Sequence, residues 1–250
     1  MKLTIVGCSG SVPGPASAAS SYLVEHEGYR LLLDLGSGAF GPLQRHLDPA
    51  EVDAVVLSHL HPDHCFDVAP MVVHRRFGAG RVLPRIPLLG PSGTHDRIAM
   101  AYDPAARNGL RDLFDVAAVA PGHRELGPFR LRFARMNHPV LTHAVRIEAG
   151  GRALAYSADT GPCADLVALA RGADLLLCEA SFADGTDGAA NPPNLHLTGR
   201  EAGEHADRAG VGRLLVTHVP PWSDRARIGA EAAAVFTASE LVTPDASYDI

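Results

Sequence analysis

Hydrophobic residues recur along the chain at two spacings, and the shorter one dominates. Runs at residues 2–6, 53–57, 86–89, 129–134, 144–147, 152–156, 175–178 and 214–217 are rich in β-branched and aliphatic side chains. Each stops at a glycine, a serine or an ionisable side chain, as short buried strands do. Residues 22–24 and 30–34 read as a hairpin around Glu27-Gly28. The longer, helical spacing fits residues 40–47, 163–171, 198–209 and 226–238. Thr198 opens one of these with Glu201 three positions on, the signature of a capping box. Strands and helices interleave with no repeat and no low-complexity linker. That order predicts two sheets sandwiched by helices in one α/β domain over residues 1–250.

Composition narrows the function classes. With 46% hydrophobic residues in 250 the chain has material for a large core, and nothing in it suggests disorder. The net charge of -6, with lysines and arginines spread along the chain, provides no basic tail for electrostatic nucleic-acid binding. Bound divalent cations would offset part of that charge inside a site. Cys8, Cys65, Cys163 and Cys178 are scattered without a paired spacing, which fits a reducing compartment rather than a disulfide framework. The apolar run at residues 3–6 is too short for a signal-peptide core, and no stretch approaches a membrane span. The cytoplasm is therefore expected.

The candidate chemistry begins directly after the strand at 53–57, in Ser58-His59-Leu60-His61-Pro62-Asp63-His64. Three histidines and a carboxylate this close cannot share one helix face. On a loop leaving a strand end they can converge on two neighbouring ions. Imidazole and carboxylate donors without thiolate suit zinc, with manganese or iron as competitors. Three more donors follow, each past a strand: His138, Asp159 in Ser157-Ala158-Asp159-Thr160-Gly161, and His218 in Thr217-His218-Val219-Pro220-Pro221. Any one of them alone reads as a surface or core residue. Together with the first four they make seven ligands, enough for two ions with open positions, the pattern of a catalytic site.

This constellation resembles the metallo-β-lactamase superfamily, and the match runs from Gly7-Cys8-Ser9-Gly10-Ser11 to His218. The resemblance implies an αββα sandwich. Leu88-Leu89-Gly90-Pro91-Ser92-Gly93, Cys178-Glu179-Ala180-Ser181-Phe182 and His196-Leu197-Thr198 are similar to the ribonuclease Z-like phosphodiesterase branch. His138 stands in Asn137-His138-Pro139-Val140, unlike glyoxalase II and lactonases, and His61 replaces the glutamate of flavodiiron oxygen reductases. By position, the resemblance implies one ion on His59, His61 and His138, the other on Asp63, His64 and His218, and Asp159 bridging them. A hydroxide between ions about 3.5–4 Å apart is then the nucleophile, and Asp63 can take its proton. His196 is the candidate general acid, oriented by Glu179. Read blandly, His196 is a helix-entry residue and Glu179 half of a buried ion pair. Asp34 is implied to brace the His-rich loop from outside, or else is a turn acid before Gly36.

The substrate is read from what is missing. Ribonuclease Z proteins that process tRNA carry a protruding arm, and no lysine- and glycine-rich insertion resembling it is present. Residues 67–129 are filled by apolar and helical segments. Gly7-Cys8-Ser9-Gly10-Ser11-Val12, Gln44-Arg45-His46, Leu154-Ala155-Tyr156-Ser157 and His218-Val219-Pro220-Pro221-Trp222 are similar to short actinobacterial members linked with cyclic-nucleotide hydrolysis. A cyclic nucleotide phosphodiesterase with two divalent ions, zinc first and manganese second, is thus the leading expectation. A tRNA 3′ endonuclease comes next, and a metal-dependent binding protein without turnover is the reading from another class. Arg75 and Arg76 are expected on a solvated helix face. His26, His46, His95, His123, His143 and His205 stay unassigned. Many relatives form homodimers, but no interface patch can be read.

Overall fold

The computed structural model describes residues 1–103, 105, 110–185, 192 and 194–250, and two seven-stranded sheets organise them. Strands are numbered along the chain. The first sheet holds β1 (Lys2–Gly7), β2 (Ser21–His26), β3 (Tyr29–Leu33), β4 (Ala54–Val56), β5 (Ile86–Gly90) and β6 (Phe114–Ala118) in chain order, with β14 (Ser247–Asp249) beside β1. The second holds β7 (Gly122–Leu126), β8 (Phe129–Arg135), β9 (His143–Ala149), β10 (Arg152–Tyr156), β11 (Leu175–Glu179), β12 (Arg213–Thr217) and β13 (Ser239–Leu241), again in chain order.

Each sheet begins antiparallel and turns parallel. β1–β3 and β7–β10 pair antiparallel, whereas β3–β6 and β10–β13 pair parallel. Parallel neighbours need crossovers, and crossovers carry helices. Those of the first sheet supply α1 (Phe40–Leu43), α2 (Pro62–Cys65), α3 (Val68–Val73) and α4 (Thr94–Tyr102). Those of the second supply α5 (Ala164–Ala170), α6 (Gly199–Ala209) and α7 (Arg225–Val235). The result is the metallo-β-lactamase αββα sandwich.

Period-two alternation sorts side chains among three apolar layers. Leu31, Leu33 and Val56 face Phe129, Ile147, Leu154 and Leu177 between the sheets. Their neighbours Leu32, Val55 and Leu88 point outward against Val68, Met71 and Ile98, while Leu176, Leu214 and Val216 meet Ala202, Ala206 and Ile228. Strands covered on both faces read as near-continuous apolar runs, which is why residues 31–33 of β3 and 175–177 of β11 are all leucine.

Several boundaries differ from the expectation. The helix at 40–47 ends at Leu43, because Gly41 and Pro42 leave it little propensity. β7 went unread since four of its five residues are exposed, and β14 has a single buried residue, Tyr248. The helix expected to reach 238 stops at Val235, which frees Ser239–Leu241 to pair with β12. The β2–β3 hairpin turns on Glu27 (φ 49°) and Gly28 (φ 79°), both left-handed as its two-residue turn requires. The capping box forms: Glu201 N–H donates to Thr198 Oγ1 at 3.1 Å, and Thr198 N–H to Glu201 Oε2 at 2.8 Å.

The parallel strands fix where chemistry can sit. β3 and β4, like β10, β11 and β12, run the same way within their sheets, so their C-terminal ends gather along one edge of the sandwich. α6 offers a test of the local reading. It ends on Gly210 at φ 61°, with open space where a Cβ would stand. Gly210→Ala should therefore cost about 1 kcal/mol through backbone strain alone. Thermal unfolding should report a loss of roughly 2–4 °C, and an unchanged midpoint would contradict the left-handed cap.

Candidate metal centre

The His-rich segment is delivered by β4 and then bent by its own sequence. Leu57 N–H still pairs with Leu89 O at 2.7 Å, and His59 and His61 lie on the loop beyond it. Pro62 then starts α2, a single turn, so Asp63 and His64 sit on a helical turn rather than on the loop expected for all four. Pro at the first helical position loses no hydrogen bond. Gly36 must be glycine, because a Cβ there would stand 1.9 Å from Asp63 O. Gly10, from the glycine–serine opening, faces the other side of the centre, where a Cβ would stand 2.3 Å from His218 O.

The donor atoms fall into two groups. In the first, His61 Nδ1 lies 3.1 Å from His59 Nε2 and 3.4 Å from His138 Nε2, and His59 Nε2 is 3.6 Å from Asp159 Oδ2. In the second, His64 Nε2 and His218 Nε2 are 3.1 Å apart. Asp63 Oδ2 stands 3.4 Å from the former and 3.2 Å from the latter. Asp159 Oδ1 stands 3.2 Å from His64 Nε2 and 3.4 Å from His218 Nε2. One carboxylate thus turns an oxygen toward each group.

These spacings suit bound cations. Four donors around an ion at bonds of roughly 2.0–2.1 Å lie about 3.3 Å from one another in a tetrahedron, inside the observed range of 3.1–3.6 Å. Burial lowers the pKa of His59, His61 and His138, which favours neutral rings, each with a lone pair to offer a cation. Asp159 Oδ1 is buried with no hydrogen-bond donor, a costly state for a carboxylate oxygen unless a cation meets it. Burial also pushes Asp63 and Asp159 upward, but the imidazoles of His218 and His64 hold both well below the usual carboxylate range.

Outer partners fix the rings. Asp34, at the end of β3, accepts from Ser58 N–H (2.7 Å), Ser58 Oγ (2.7 Å), His64 Nδ1 (2.8 Å) and Tyr156 OH (2.7 Å). His138 Nδ1 reaches Leu195 O at 3.0 Å, and His218 Nδ1 reaches Ser181 Oγ at 2.9 Å. Such contacts set which ring nitrogen faces inward. Tyr156 and Ser181 stand inside motifs that carry the resemblance, but the sequence assigns no role to either. Tyr156 ends an apolar strand like any core aromatic, and Ser181 is marked only by its place two residues after Glu179.

Beside the two groups stands a third. His196 Nδ1 is 2.9 Å from Glu179 Oε1, whose carboxylate also accepts from Thr160 N–H at 2.7 Å and Ser181 Oγ at 3.2 Å. Burial lowers the His196 pKa, but the Glu179 charge and hydrogen bond outweigh it, and the imidazole is pushed up to about 9. His196 can therefore hold a proton at neutral pH with its orientation fixed. Arg75 departs from the sequence expectation. Residues His74–Gly78 form a π-helical turn, which shifts register after α3 and brings Arg75 inside at 2% exposure, against Pro84 O and the Phe114 ring. Arg76 pairs with Asp112 at 2.8 Å. Neither touches the donor groups. His205 is spent on the fold, with Cys163 N–H on Nε2 and Glu201 O on Nδ1.

Residues 29–219 match the family model described as the Beta-lactamase superfamily domain, and the chain belongs to that family. It is 44% identical over 241 residues to uncharacterized protein Rv1339 of Mycobacterium tuberculosis, covering 94% of this chain and 87% of the relative. It is 32% identical over 238 residues to the probable metallo-hydrolase YhfI of Bacillus subtilis, covering 94% of each. The crystal structure of YhfI superposes with a TM-score of 0.86 over 99% of this chain and 98% of that one, at 29% identity. A ribonuclease Z of Halorubrum lacusprofundi is 30% identical over 301 aligned positions, covering 98% of this chain and 95% of the relative.

Two ions sharing Asp159 make a countable expectation. Protein purified without chelator and supplemented with metal should carry close to two transition ions per chain by elemental analysis. Asp159→Ala should lose most of both, because the shared carboxylate is the contact common to the two groups. A reproducible value of one ion or fewer in the parent protein would sink the dinuclear assignment.

Proposed function

We propose that this member of the beta-lactamase superfamily is a cytoplasmic dinuclear-zinc phosphodiesterase that hydrolyses a cyclic nucleotide. The carrying observation is the juxtaposition of two donor groups that share Asp159 with a protonatable His196 held by Glu179. Zinc is favoured because every donor is an imidazole nitrogen or a carboxylate oxygen at tetrahedral spacing. The ligand set is His59, His61, His138 and Asp159 for one ion, and Asp63, His64, His218 and Asp159 for the other. When bound, the ions supply a water of lowered pKa and stabilise charge on the attacked phosphoryl group. Four free cysteines, three of them buried, fit a reducing compartment, and among the described residues no helix is long and apolar enough to cross a membrane.

The chain's own groups divide the proton work. Asp63, kept ionised by His64 and His218, accepts the proton of the attacking water. His196, with Nδ1 engaged by Glu179, presents Nε2 to the leaving oxygen and donates a proton there. Turnover without such a pair is hard to supply, which is what separates an enzyme from a metal-dependent binding protein.

Length supports a small substrate. The Halorubrum ribonuclease Z aligns over 301 positions, against 250 residues here, so some fifty of its positions have no counterpart in this chain. The Rv1339 and YhfI alignments, over 241 and 238 residues, need no such insertion. A chain lacking those positions has less surface to grip the body of a tRNA, which supports a small substrate over the tRNA 3′ endonuclease reading.

Product analysis with cyclic AMP, cyclic GMP and a pre-tRNA should find the cyclic nucleotides opened by zinc- or manganese-loaded protein, and chelation should abolish the reaction. Efficient 3′ trimming of pre-tRNA with a steep salt dependence would reverse the ranking, since salt sensitivity reports many phosphate contacts. His196→Ala should keep its metal and lose ~10²-fold or more in kcat on a cyclic nucleotide, the range of a general acid. On bis-p-nitrophenyl phosphate, whose leaving group needs no proton, the loss should be much smaller. Equal losses on both substrates would remove His196 from the proton transfer, and Glu179→Gln should follow the same pattern more weakly.

A further inference from the structure

Six large apolar side chains among the described residues are exposed: Val12, Val73, Phe77, Val82, Met100 and Trp222. Isolated exposed hydrophobics are ordinary, so position decides which of them matters. Val73, Phe77, Val82 and Met100 lie on α3, α4 and the segment that joins α3 to β5. Trp222 lies at the metal end, four residues past His218, and is 69% exposed. It is also the only tryptophan in the chain.

Trp222, Ser223 and Asp224 form one side of a groove of about 330 Å³, and Ser181, Phe182 and Ala183 form the other, with Arg227 also lining it. That volume falls in the range of small-molecule sites, roughly 300–1,000 Å³. The Ser181–Phe182 side touches the candidate metal centre, and the Trp222 side follows His218 along the chain. Ser181 Oγ is hydrogen-bonded to His218 Nδ1 at 2.9 Å, and the Phe182 ring stands edge-on to the His196 imidazole, 5.4 Å between centroids. Ser223 Oγ donates to Ser181 O at 3.3 Å and ties the two sides together. The segments follow β11 and β12, so the groove is carried by the same strand ends that carry Glu179 and His218. Arg227 is engaged by Glu231 at 2.9 Å, and Asp224 caps α7 by accepting from Arg227 N–H at 3.0 Å. The groove thus offers two aromatic rings, while its ionic groups already have partners.

We propose that this groove receives the planar base of the substrate, stacked on the Trp222 indole, while the phosphodiester lies over the donor groups beside His196. The assignment rests on the nucleotide reading of the same site. A base has a π-face whatever its identity, so a stacking platform accepts purines broadly and adds binding without reading an edge. A phosphate or a bare sugar has no such face. An occupant that joins an anion at the donor groups to an aromatic plane in the adjoining groove has the chemistry of a nucleotide.

The single tryptophan makes the test direct. Metal-loaded protein is titrated with the hydrolysis-resistant Rp-phosphorothioate analogue of cyclic AMP, and in parallel with ribose 3′,5′-cyclic phosphate, which lacks the base. Saturable quenching of intrinsic fluorescence by the first and none by the second is expected. Trp222→Ala should raise KM for cyclic AMP ~10-fold or more, within the range that stacking of one base is worth. Its kcat should fall far less, and Trp222→Phe should recover most of the affinity. Hydrolysis of cyclic AMP with no quenching and an unaltered KM in Trp222→Ala would overturn the groove and leave the phosphodiesterase reading standing. Quenching without hydrolysis would support the groove and defeat that reading. Equal quenching by the base-free ribose phosphate would overturn the base assignment.

Discussion

A carboxylate with no exposed surface ties the two halves of the molecule together beside the candidate metal centre. Asp34 ends β3 in the first sheet and accepts four hydrogen bonds, one of them from Tyr156 at the end of β10 in the second. Burying a carboxylate costs several kcal/mol unless its oxygens are satisfied. Bonds to a charged acceptor contribute about 1.5–3 kcal/mol each, so the full set is needed and its geometry is not free to vary. The bonds to Ser58 hold the exit of β4, the bond to His64 orients a ring of the second donor group, and the bond from Tyr156 links the two sheets. Asp34 thus braces His64 of the second donor group from outside, and Asp159 turns one oxygen toward each group.

Strain accompanies the constraint. Asp34 (φ 56°), Ala158 (φ 53°) and His218 (φ 58°) all take left-handed backbone, at roughly 1–2 kcal/mol each for a side chain bearing a Cβ. All three sit at strand ends, and two of them are adjacent to or are donor residues. The sharp turn at Ala158 aims Asp159 back across the gap between the sheets, and the turn at His218 brings its ring over Asp63. Rigid double-sided burial of β3, β10 and β12 is what lets such turns persist.

The legible parts of the sequence were those where one residue type has few other uses. His59, His61, Asp63 and His64 crowd into one segment, and His138, Asp159 and His218 follow strands whose apolar runs are unmistakable. Buried central strands announce themselves because both faces demand hydrophobic side chains. Edge strands do not: β7 is mostly exposed and β14 is three residues long, so neither carries a pattern. Tyr156 was hidden for the opposite reason, since a tyrosine in a core strand looks like packing until its hydroxyl is seen to meet Asp34. Arg75 misled because a solvated face assumes α-helical register, and the π-helical turn breaks it. Left-handed Ala158 has no sequence signal at all, because alanine disfavours that backbone.

The proposed chemistry rests on two cations that share one carboxylate. The most direct measurement is anomalous diffraction from crystals of the metal-loaded protein, collected on both sides of the zinc absorption edge. Two peaks about 3.5–4 Å apart are expected, one beside His59, His61 and His138, the other beside Asp63, His64 and His218, with Asp159 between them. A single peak, or two peaks without Asp159 in contact with both, would contradict it.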